Sequence, residues 1–403
     1  MNQSNNFVGQ HIFSQITSLC SGQELSSIIR DCKADRYYKH LRCYEHFISM
    51  LYCVVSGCTS LREIVSGLGV AQGKLNHLGI GYVPARSTLS DGNKNRPAHV
   101  FKSIYQHLYQ KHKPFLSDST LPQSVVQKLF LMDSTVFGLF KAILKTVGRH
   151  SDNGKKKGGI KKNTVIEGSS LMPCFVQFSS AAEHDQQVYK ALSLPEGSYV
   201  VFDKGYNNYR QFANFCNQGI RFVTRQKENA VYEGEYECLH DAHTPNPDIL
   251  KEETILQPYA DEVGEQKILR LRRIAWWDER RQVLYELITN DFVLEAIVIA
   301  QIYKYRWQIE LFFKKLKQNF PLQYFVGDNQ NPIEIQIWCA LIALLLLTVI
   351  HQRNKSRIAF AVFVSILRLH LFNYIALKEL LHEYQSKRGK APPNPNFTLF
   401  DSA

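Results

Sequence analysis

Apolar positions recur every three or four residues along the first part of the chain, as in HFISMLYCVVSG and VFKSIYQHLYQKH. This spacing is typical of helices that bury one face, so we predict an all-α domain over residues 1–117. Between those two segments lie a Gly-rich break and the segment STLSDGNKNR. Short helices around glycine turns suit a helix-turn-helix reader of DNA, and they suit an ordinary small helical bundle equally well.

The hydrophobic pattern changes after a polar stretch around residues 117–124. The runs KLFLMD, CFVQF, YVVFD and RFVTR are short, apolar and β-branched, which predicts buried strands. The segment YNNYRQFANFCNQG between the last two runs predicts a helix that ends at a glycine. Strands that alternate with helices indicate an α/β fold, and we assign residues 118–226 to the first part of this core.

Strand patterns without intervening helices fill residues 227–290, which predicts a β-rich insertion. Helical patterns return over 293–319, 332–352 and 358–385, so residues 291–385 form the second part of the core. The Pro-rich segment 386–403 is predicted to be a flexible tail. The apolar run WCALIALLLLTVI is too short to cross a bilayer comfortably. We therefore expect a buried core helix there and no membrane partner.

Composition and charge narrow the class of protein. The net charge of +12 favours a polyanionic partner such as nucleic acid, although a basic surface also serves solubility alone. The nine cysteines are scattered without a CxxC pair, which is typical of reduced thiols rather than of disulfides or a zinc site. The segment MNQSNNFVGQ has neither a basic nor an apolar leader pattern. We expect a cytoplasmic protein.

Two aspartates follow predicted strands. Asp133 ends the run LFLMD, and Asp203 ends the run YVVFD. A carboxylate at the carboxyl end of a buried strand lies at the rim of the sheet, where α/β folds build their sites. Either aspartate alone is better explained as the cap of the turn that follows. Two on neighbouring strands could share a metal ion.

The segment IYKYRWQIELFFKKLKQNF carries a second candidate group. Tyr303, Arg306, Glu310 and Lys317 lie within about 60° of one another on a helix. A solvated helix face with an Arg–Glu pair would show the same pattern. The functional alternative is a site for phosphodiester cleavage. In that reaction two metal ions, held by carboxylates, can stabilise the attacking and leaving oxygens of an in-line displacement. Carboxylates suit Mg²⁺, and arginine and lysine beside them suit phosphates.

The spacing Y-x2-R-x3-E-x6-K of these four residues resembles the signature of the insertion-sequence-four family of bacterial transposases. Asp133 in LFLMDST and Asp203 in VVFDKGYNNY match the family's first and second catalytic aspartates. The β-rich stretch before Glu310 matches its insertion domain, and SLREI, HLGIG and RSTLSDGNKNR resemble the N-terminal helical domain of one branch.

This resemblance implies a ribonuclease-H-like core interrupted by the β-rich insertion, with an N-terminal all-α domain. It implies a cut-and-paste DDE mechanism that depends on Mg²⁺, for which Mn²⁺ would substitute. Asp133, Asp203 and Glu310 would hold the metal, and Tyr303, Arg306 and Lys317 would contact DNA. Related enzymes act as dimers on paired transposon ends, some of them through a DNA hairpin, so the expected partners are terminal inverted repeats, target DNA and a second copy of the chain.

The chain departs from the family pattern at two positions. Asn163 stands where relatives of this branch have a histidine, and Lys204 stands where they tend to have an arginine. A hairpin route would need an aromatic side chain to hold a flipped base. Trp276 and Trp277 are candidates for this role, although packing in the interior or at a turn is the more ordinary role of a tryptophan.

Three smaller features have a functional and an ordinary interpretation. The lysine-rich segment 155–162 could follow a DNA backbone or simply be solvated. The pair His184 and Asp185 resembles metal-binding pairs but lacks distant partners, which favours a loop. Arg86 and Arg96, around STLSDGNKN, could contact phosphates or bases.

Three functions remain open from the sequence. The first is a transposase, the second is a nuclease of the same fold that never joins strands, and the third is an inactive copy that only binds its DNA ends. The presence of all three acidic residues argues against the third.

Overall fold

The computed structural model describes residues 9–116, 123–138, 159–180, 192–237, 246–320, 322 and 324–387. Its first part is helical, with 3₁₀ turns at Gln72–Leu78 and Lys113–Phe115. The α-helices before the first strand are α1 (Ile12–Thr17), α2 (Gly22–Asp31), α3 (Cys43–Ser56), α4 (Leu61–Val70), α5 (Arg86–Asn95), α6 (His99–His112) and α7 (Gln123–Val126).

Among the described residues, nine strands form a single mixed sheet in the order β3-β2-β1-β4-β5-β9-β8-β7-β6. The strands β1, β4 and β5 run parallel to one another, and the other neighbours are antiparallel. The strands are β1 (Leu129–Gly138), β2 (Gly159–Glu167), β3 (Met172–Ser180), β4 (Tyr199–Val201), β5 (Arg221–Arg225), β6 (Glu233–Glu237), β7 (Ile249–Ala260), β8 (Gln266–Asp278) and β9 (Val283–Thr289).

The mixed sheet with helices against it is consistent with a ribonuclease-H-like core. Helix α8 (Tyr209–Asn217) connects the parallel strands β4 and β5, and Gly219 follows it with a φ of 66°. Glycine suits this position because a Cβ would be strained in the left-handed region. The long strands β7 and β8 extend the same sheet, because β9 pairs with the edge of β5. The assignment of residues 227–290 to an insertion stays a prediction.

The remaining described helices are α9 (Ala296–Tyr305), α10 (Trp307–Asn319), α11 (Gln330–Arg353), α12 (Phe360–Leu369) and α13 (Leu377–Lys387). Helix α11 is long and apolar enough to cross a membrane, but 94% of its most apolar 18-residue segment is buried inside the protein. It packs against α3, α5 and α6. The predicted core helix is therefore confirmed, and it joins the N-terminal helices to the rest of the chain through a common hydrophobic core.

Two predicted long helices are each broken in two. The predicted helix 293–319 is interrupted at Arg306, whose N–H donates to the carbonyl of Tyr303, three residues back. The predicted helix 358–385 is interrupted between α12 and α13, because the carbonyls of Leu371 and Asn373 accept hydrogen bonds from the first turn of α1. The first break is thus a local change in hydrogen bonding, whereas the second accompanies a contact with a segment far away in the sequence. The predicted tail beyond residue 387 lies outside the described residues.

Candidate active site

The two candidate aspartates lie level with each other on neighbouring strands. Leu131 of β1 pairs with Val201 of β4 in parallel register, and each aspartate follows its strand partner by two residues. The sequence predicted that Asp133 ends its strand. In the structure β1 continues beyond Asp133 in its pairing with β2, so this residue lies within the strand. The pairing of β1 with its short neighbour β4 ends two residues before Asp133, at Leu131. Both carboxylates therefore reach the same edge of the parallel part of the sheet.

Helix α10 brings the third carboxylate to this edge, because it packs against β1. Arg306, between α9 and α10, makes the connection: its guanidinium lies 2.8 Å from Glu310 Oε1 and 3.6 Å from Asp133 Oδ2. The arginine side chain is only 7% exposed, whereas that of Glu310 is 50% exposed. The charge on Arg306 thus lies between two of the three candidate metal ligands.

Arg225 is a site residue that the sequence analysis did not identify. It ends β5, the parallel neighbour of β4, and donates a hydrogen bond of 2.7 Å to Asp203 Oδ1. The signal was present in the sequence, since RFVTR is a strand-like run that ends on a charged residue, as LFLMD and YVVFD do. Its pairing with Asp203 depends on strand order, which the local pattern does not contain.

The two aspartates differ in their electrostatics. Burial raises the pKa of Asp133 to about 6, and the negative charges of Glu310 and Asp203 act in the same direction, against the Ser134 N–H and Arg306. Burial also acts to raise the pKa of Asp203, but the hydrogen bond and charge of Arg225 outweigh it and lower that pKa. At the edge of the sheet, the negative charge of Asp133 is therefore poorly balanced by nearby positive charge, whereas that of Asp203 is well balanced.

The four residues of the helical signature lie on both sides of the break between α9 and α10, and they differ in exposure. Tyr303 is 1% exposed and packs against Tyr285 and Trp307, with ring centroids 6.1 and 6.3 Å away. Burial raises the pKa of its hydroxyl to about 12. Lys317 is exposed in the last turn of α10, about 10 Å along the helix from Glu310. Neighbouring members of the signature remain in contact, because the guanidinium of Arg306 lies 5.8 Å from the centre of the Tyr303 ring and 2.8 Å from Glu310 Oε1. The predicted shared face therefore runs from a buried part before the break to an exposed part after it.

Of the two tryptophans considered for base flipping, Trp276 is buried and stacks on Tyr285 at 5.3 Å. This is the packing role that the sequence analysis considered ordinary. Trp277, the next residue of β8, is half-buried. Of the two, only Trp277 is therefore partly exposed.

The other candidates are dispersed. Asn163 is buried on β2 beside Ser134, the neighbour of Asp133, and Lys204 forms an ion pair with Glu228. Arg86 is exposed at the start of α5, but Arg96 is fully buried and cannot reach DNA, which corrects its predicted role. The pair at 184–185 and residues 155–158 of the lysine-rich segment lie outside the described residues.

The chemistry of the donor set fits a divalent metal ion, because three carboxylates provide the hard oxygen ligands that such ions prefer. In the described part of the chain, however, no group of three His, Cys, Asp or Glu side chains is gathered closely enough to hold an ion. Arg306 and Arg225 supply the positive charge next to these carboxylates instead. An ion at this edge would therefore compete with two arginines for its ligands.

Comparison with known proteins identifies the family of this chain. The transposase DDE domain family matches residues 126–346, a span that contains all three carboxylates, and a domain of unknown function, DUF4372, matches residues 8–81. The chain thus belongs to the DDE transposase family, and it is of the insertion-sequence-four type. Enzymes of this family depend on divalent metal ions and catalyse DNA cleavage and strand transfer.

Two bacterial relatives are similar over most of their length. A protein named as the transposase y4zB of Sinorhizobium fredii is 28% identical over 68% of this chain and 73% of its own. A protein of Synechocystis, named as the transposase for insertion sequence element IS4SA, is 28% identical over 65% of this chain and 70% of its own.

A piggyBac transposase in a synaptic complex with hairpin DNA has 8% sequence identity and a TM-score of 0.42, over 99% of this chain and 85% of its own. A similarity of this size supports no inference about the present chain.

Proposed function

We propose that this transposase excises its own insertion sequence and joins it to target DNA by a cut-and-paste route, with Asp133, Asp203 and Glu310 as the catalytic metal ligands. The observation that carries the proposal is the level placement of the two aspartates on the parallel strands β1 and β4. The approach of Glu310 to Asp133 through Arg306 supports it. An inactive copy that only binds DNA, or a nuclease without strand transfer, would be expected if cleavage or joining failed.

The proposed metal is Mg²⁺, with Mn²⁺ as a substitute, because both accept carboxylate oxygens. When bound, such an ion stabilises charge on the attacking and leaving oxygens. The protein's own part is to hold the carboxylates at one edge of a rigid sheet. Arg306 and Arg225 neutralise these carboxylates in the metal-free protein. If Asp133 and Glu310 held the metal, Arg306 would be available to a DNA phosphate, since a guanidinium binds phosphate and carboxylate in the same bidentate manner.

Tyr303, Arg306 and Lys317 are the proposed DNA-contacting residues of the core. Lys317 is exposed on the same helix as Glu310, so its ammonium group can reach a neighbouring phosphate. The ring of Tyr303 lies 5.8 Å from the guanidinium carbon of Arg306. Because this tyrosine is buried, we propose that it acts mainly by supporting the arginine, and contacts DNA only if the site opens.

The proposed substrates are double-stranded terminal inverted repeats of the element and target DNA. The names of the relatives, one of which refers to an insertion sequence element, support this. A homodimer that holds both ends is proposed for the synaptic complex, and helices of residues 1–117 are proposed as the DNA-binding domain. The expected compartment is the bacterial cytoplasm.

The test uses purified protein and a plasmid that carries the gene with its native flanks, incubated with and without Mg²⁺. Strand breaks are then mapped by sequencing, and joined products are recovered in a target plasmid. Metal-dependent breaks at two inverted repeats, followed by joining, are the expected result. Breaks without joining would identify a nuclease, and protection of the ends without breaks would identify a DNA-binding copy.

A further inference from the structure

The loop between α2 and α3, residues 32–42, has an unusual backbone. Two of its residues other than glycine have positive φ, Lys33 at 50° and Tyr37 at 69°. Residues other than glycine rarely have positive φ, because this conformation costs on the order of 1–3 kcal/mol for each residue. Such conformations persist only where the surrounding structure holds them. We call residues 32–42 the basic loop.

A single buried arginine holds the basic loop in this conformation. Arg96 is fully buried, and it donates hydrogen bonds to the carbonyl of Ala34 at 3.1 Å and to that of Leu41 at 2.6 Å. Its guanidinium also lies 4.0 Å from the centre of the Tyr38 ring and 3.6 Å from Asp35. The loop is therefore fixed at both ends and in the middle by a residue far away in the sequence.

The surface that results is strongly basic. Arg30, Lys33, Arg36 and Lys39 are exposed, and no carboxylate of the described residues forms an ion pair with any of them. The carboxylate of Asp35, whose side chain is 30% exposed, pairs with Arg96 and accepts a hydrogen bond of 2.6 Å from the N–H of Cys43. Asp31 is exposed next to Arg30 and Asp35 is partly exposed, so the four cations leave this surface with an excess of positive charge.

Tyr37 adds an aromatic side chain to this surface. Its side chain is 87% exposed, and the guanidinium of Arg36 lies 4.9 Å from the centre of its ring. Beside it lies a groove of about 510 Å³ between α2 and the basic loop, and the charged residues of its lining are Arg30, Lys33 and Arg36 together with Asp35. A merely solvated loop would need neither a strained, exposed tyrosine nor a buried arginine to hold it in place.

We propose that this groove and the basic loop bind the phosphate backbone of duplex DNA. Lysine and arginine side chains and a tyrosine hydroxyl are the groups that proteins use for this purpose. The surface lies within residues 8–81, which match a domain of unknown function, and the inference assigns that domain a DNA contact. It rests on the proposed function, because it names the surface by which the N-terminal helices hold the substrate.

The experiment measures binding of the full-length protein to a short fluorescein-labelled duplex of mixed sequence, without divalent metal, over a series of salt concentrations. The variant combines Arg30→Gln, Lys33→Gln and Arg36→Gln. We expect Kd to rise about tenfold or more, and the slope of log K against log salt to fall by about 2 to 3, because each lost phosphate contact removes about one released counterion.

The matched control combines Lys355→Gln, Arg357→Gln and Lys378→Gln, which removes the same charge from exposed residues elsewhere. It should leave both Kd and slope close to wild type. A Tyr37→Gly variant should weaken binding severalfold without lowering Tm, since glycine accepts the positive φ. This variant separates a contact role for the ring from a structural one.

The outcomes distinguish this inference from the proposed function. If wild type binds the duplex and the loop variant binds equally well, or if the control loses as much affinity, the basic loop is not the DNA surface, although the transposase proposal stands. If single-stranded DNA or RNA binds through the loop in preference to duplex, the inference is also overturned. If wild type binds no duplex at all, the proposed function fails together with the inference.

Discussion

Two buried arginines define two different regions of the molecule. Arg96 lies among the N-terminal helices with its side chain 0% exposed, and Arg306 lies at the sheet edge with its side chain 7% exposed. The first donates to backbone carbonyls, and the second faces the carboxylates of Asp133 and Glu310. Carbonyls inside a fold have no alternative partner, whereas carboxylates at a half-open edge can exchange an arginine for a cation. The same side chain thus acts as a fixed strut in one region and, in the function we propose, as an exchangeable counterion in the other.

The largest expected effect is a loss of DNA cleavage on substitution of a carboxylate at the sheet edge. We expect Asp203→Asn to reduce DNA cleavage by about a thousandfold or more, since removing a metal ligand removes several kcal/mol of transition-state stabilisation. Cleavage of plasmid ends in Mg²⁺ measures it, with duplex binding as the parallel readout. Glu265→Gln, at an exposed carboxylate of the β7–β8 hairpin, is the control and should cleave normally. Substantial cleavage by Asp203→Asn would remove this residue from the proposed site.

The next effect belongs to the fixed strut. Arg96→Met should lower the free energy of unfolding by about 3 kcal/mol, because it leaves the buried carbonyls of Ala34 and Leu41 without their donor. Urea unfolding followed by circular dichroism measures this loss. Arg306→Met should cost less stability, because Glu310 can be solvated, while reducing cleavage far more. Equal losses of stability for the two variants would contradict the distinction between strut and counterion.

Lys315, on the same helix as Glu310, predicts how the stability of the protein depends on pH. It lies 3.7 Å from the centre of the Phe360 ring, and burial lowers its pKa from 10.5 to about 8. The unfolded chain keeps this proton until about pH 10.5, whereas the folded protein releases it near pH 8. The stability should therefore rise as the pH rises between these two values and be lowest below pH 8.

Replacing this lysine should remove the pH dependence. We expect Lys315→Met to stabilise the protein at pH 7 by about 1–3 kcal/mol and to abolish the gain in stability towards high pH. Lys314→Met, at the exposed neighbouring position, is the control and should change neither. Urea unfolding at a series of pH values gives the result. An unchanged pH dependence in Lys315→Met would show that another group is responsible.

The smallest effect sharpens the idea of competition between arginine and metal. Arg225→Gln leaves Asp203 without its 2.7 Å partner. The metal-free protein should lose about 1 kcal/mol, and the rise in Tm on adding Mg²⁺ should be larger than in wild type, because the ion no longer displaces an arginine. Differential scanning calorimetry with and without metal measures both quantities. A smaller metal-induced rise in the variant would mean that Arg225 assists metal binding instead of opposing it.

Much of the fold was predictable because its signals are local. The strand-like runs at β1, β4 and β5 and the apolar core helix α11 are visible as short patterns of burial, and the structure has them where the patterns do. The break at Arg306 was not predictable, since the residues on both sides continue an acceptable helical period. Arg225 and Arg96 were missed or misassigned because their partners lie 22 and at least 55 residues away.

The sequence by itself determined which acidic residues follow buried apolar runs, and the spacing from Tyr303 to Lys317 that resembles the family's signature. These properties depend only on neighbours along the chain. The tertiary structure alone decided which charges meet: strand order placed Arg225 against Asp203, and a turn between two helices placed Arg306 between Asp133 and Glu310. The reason is that the energy of a charged group depends on burial and on its nearest opposite charges, and both are set by segments that come together only on folding.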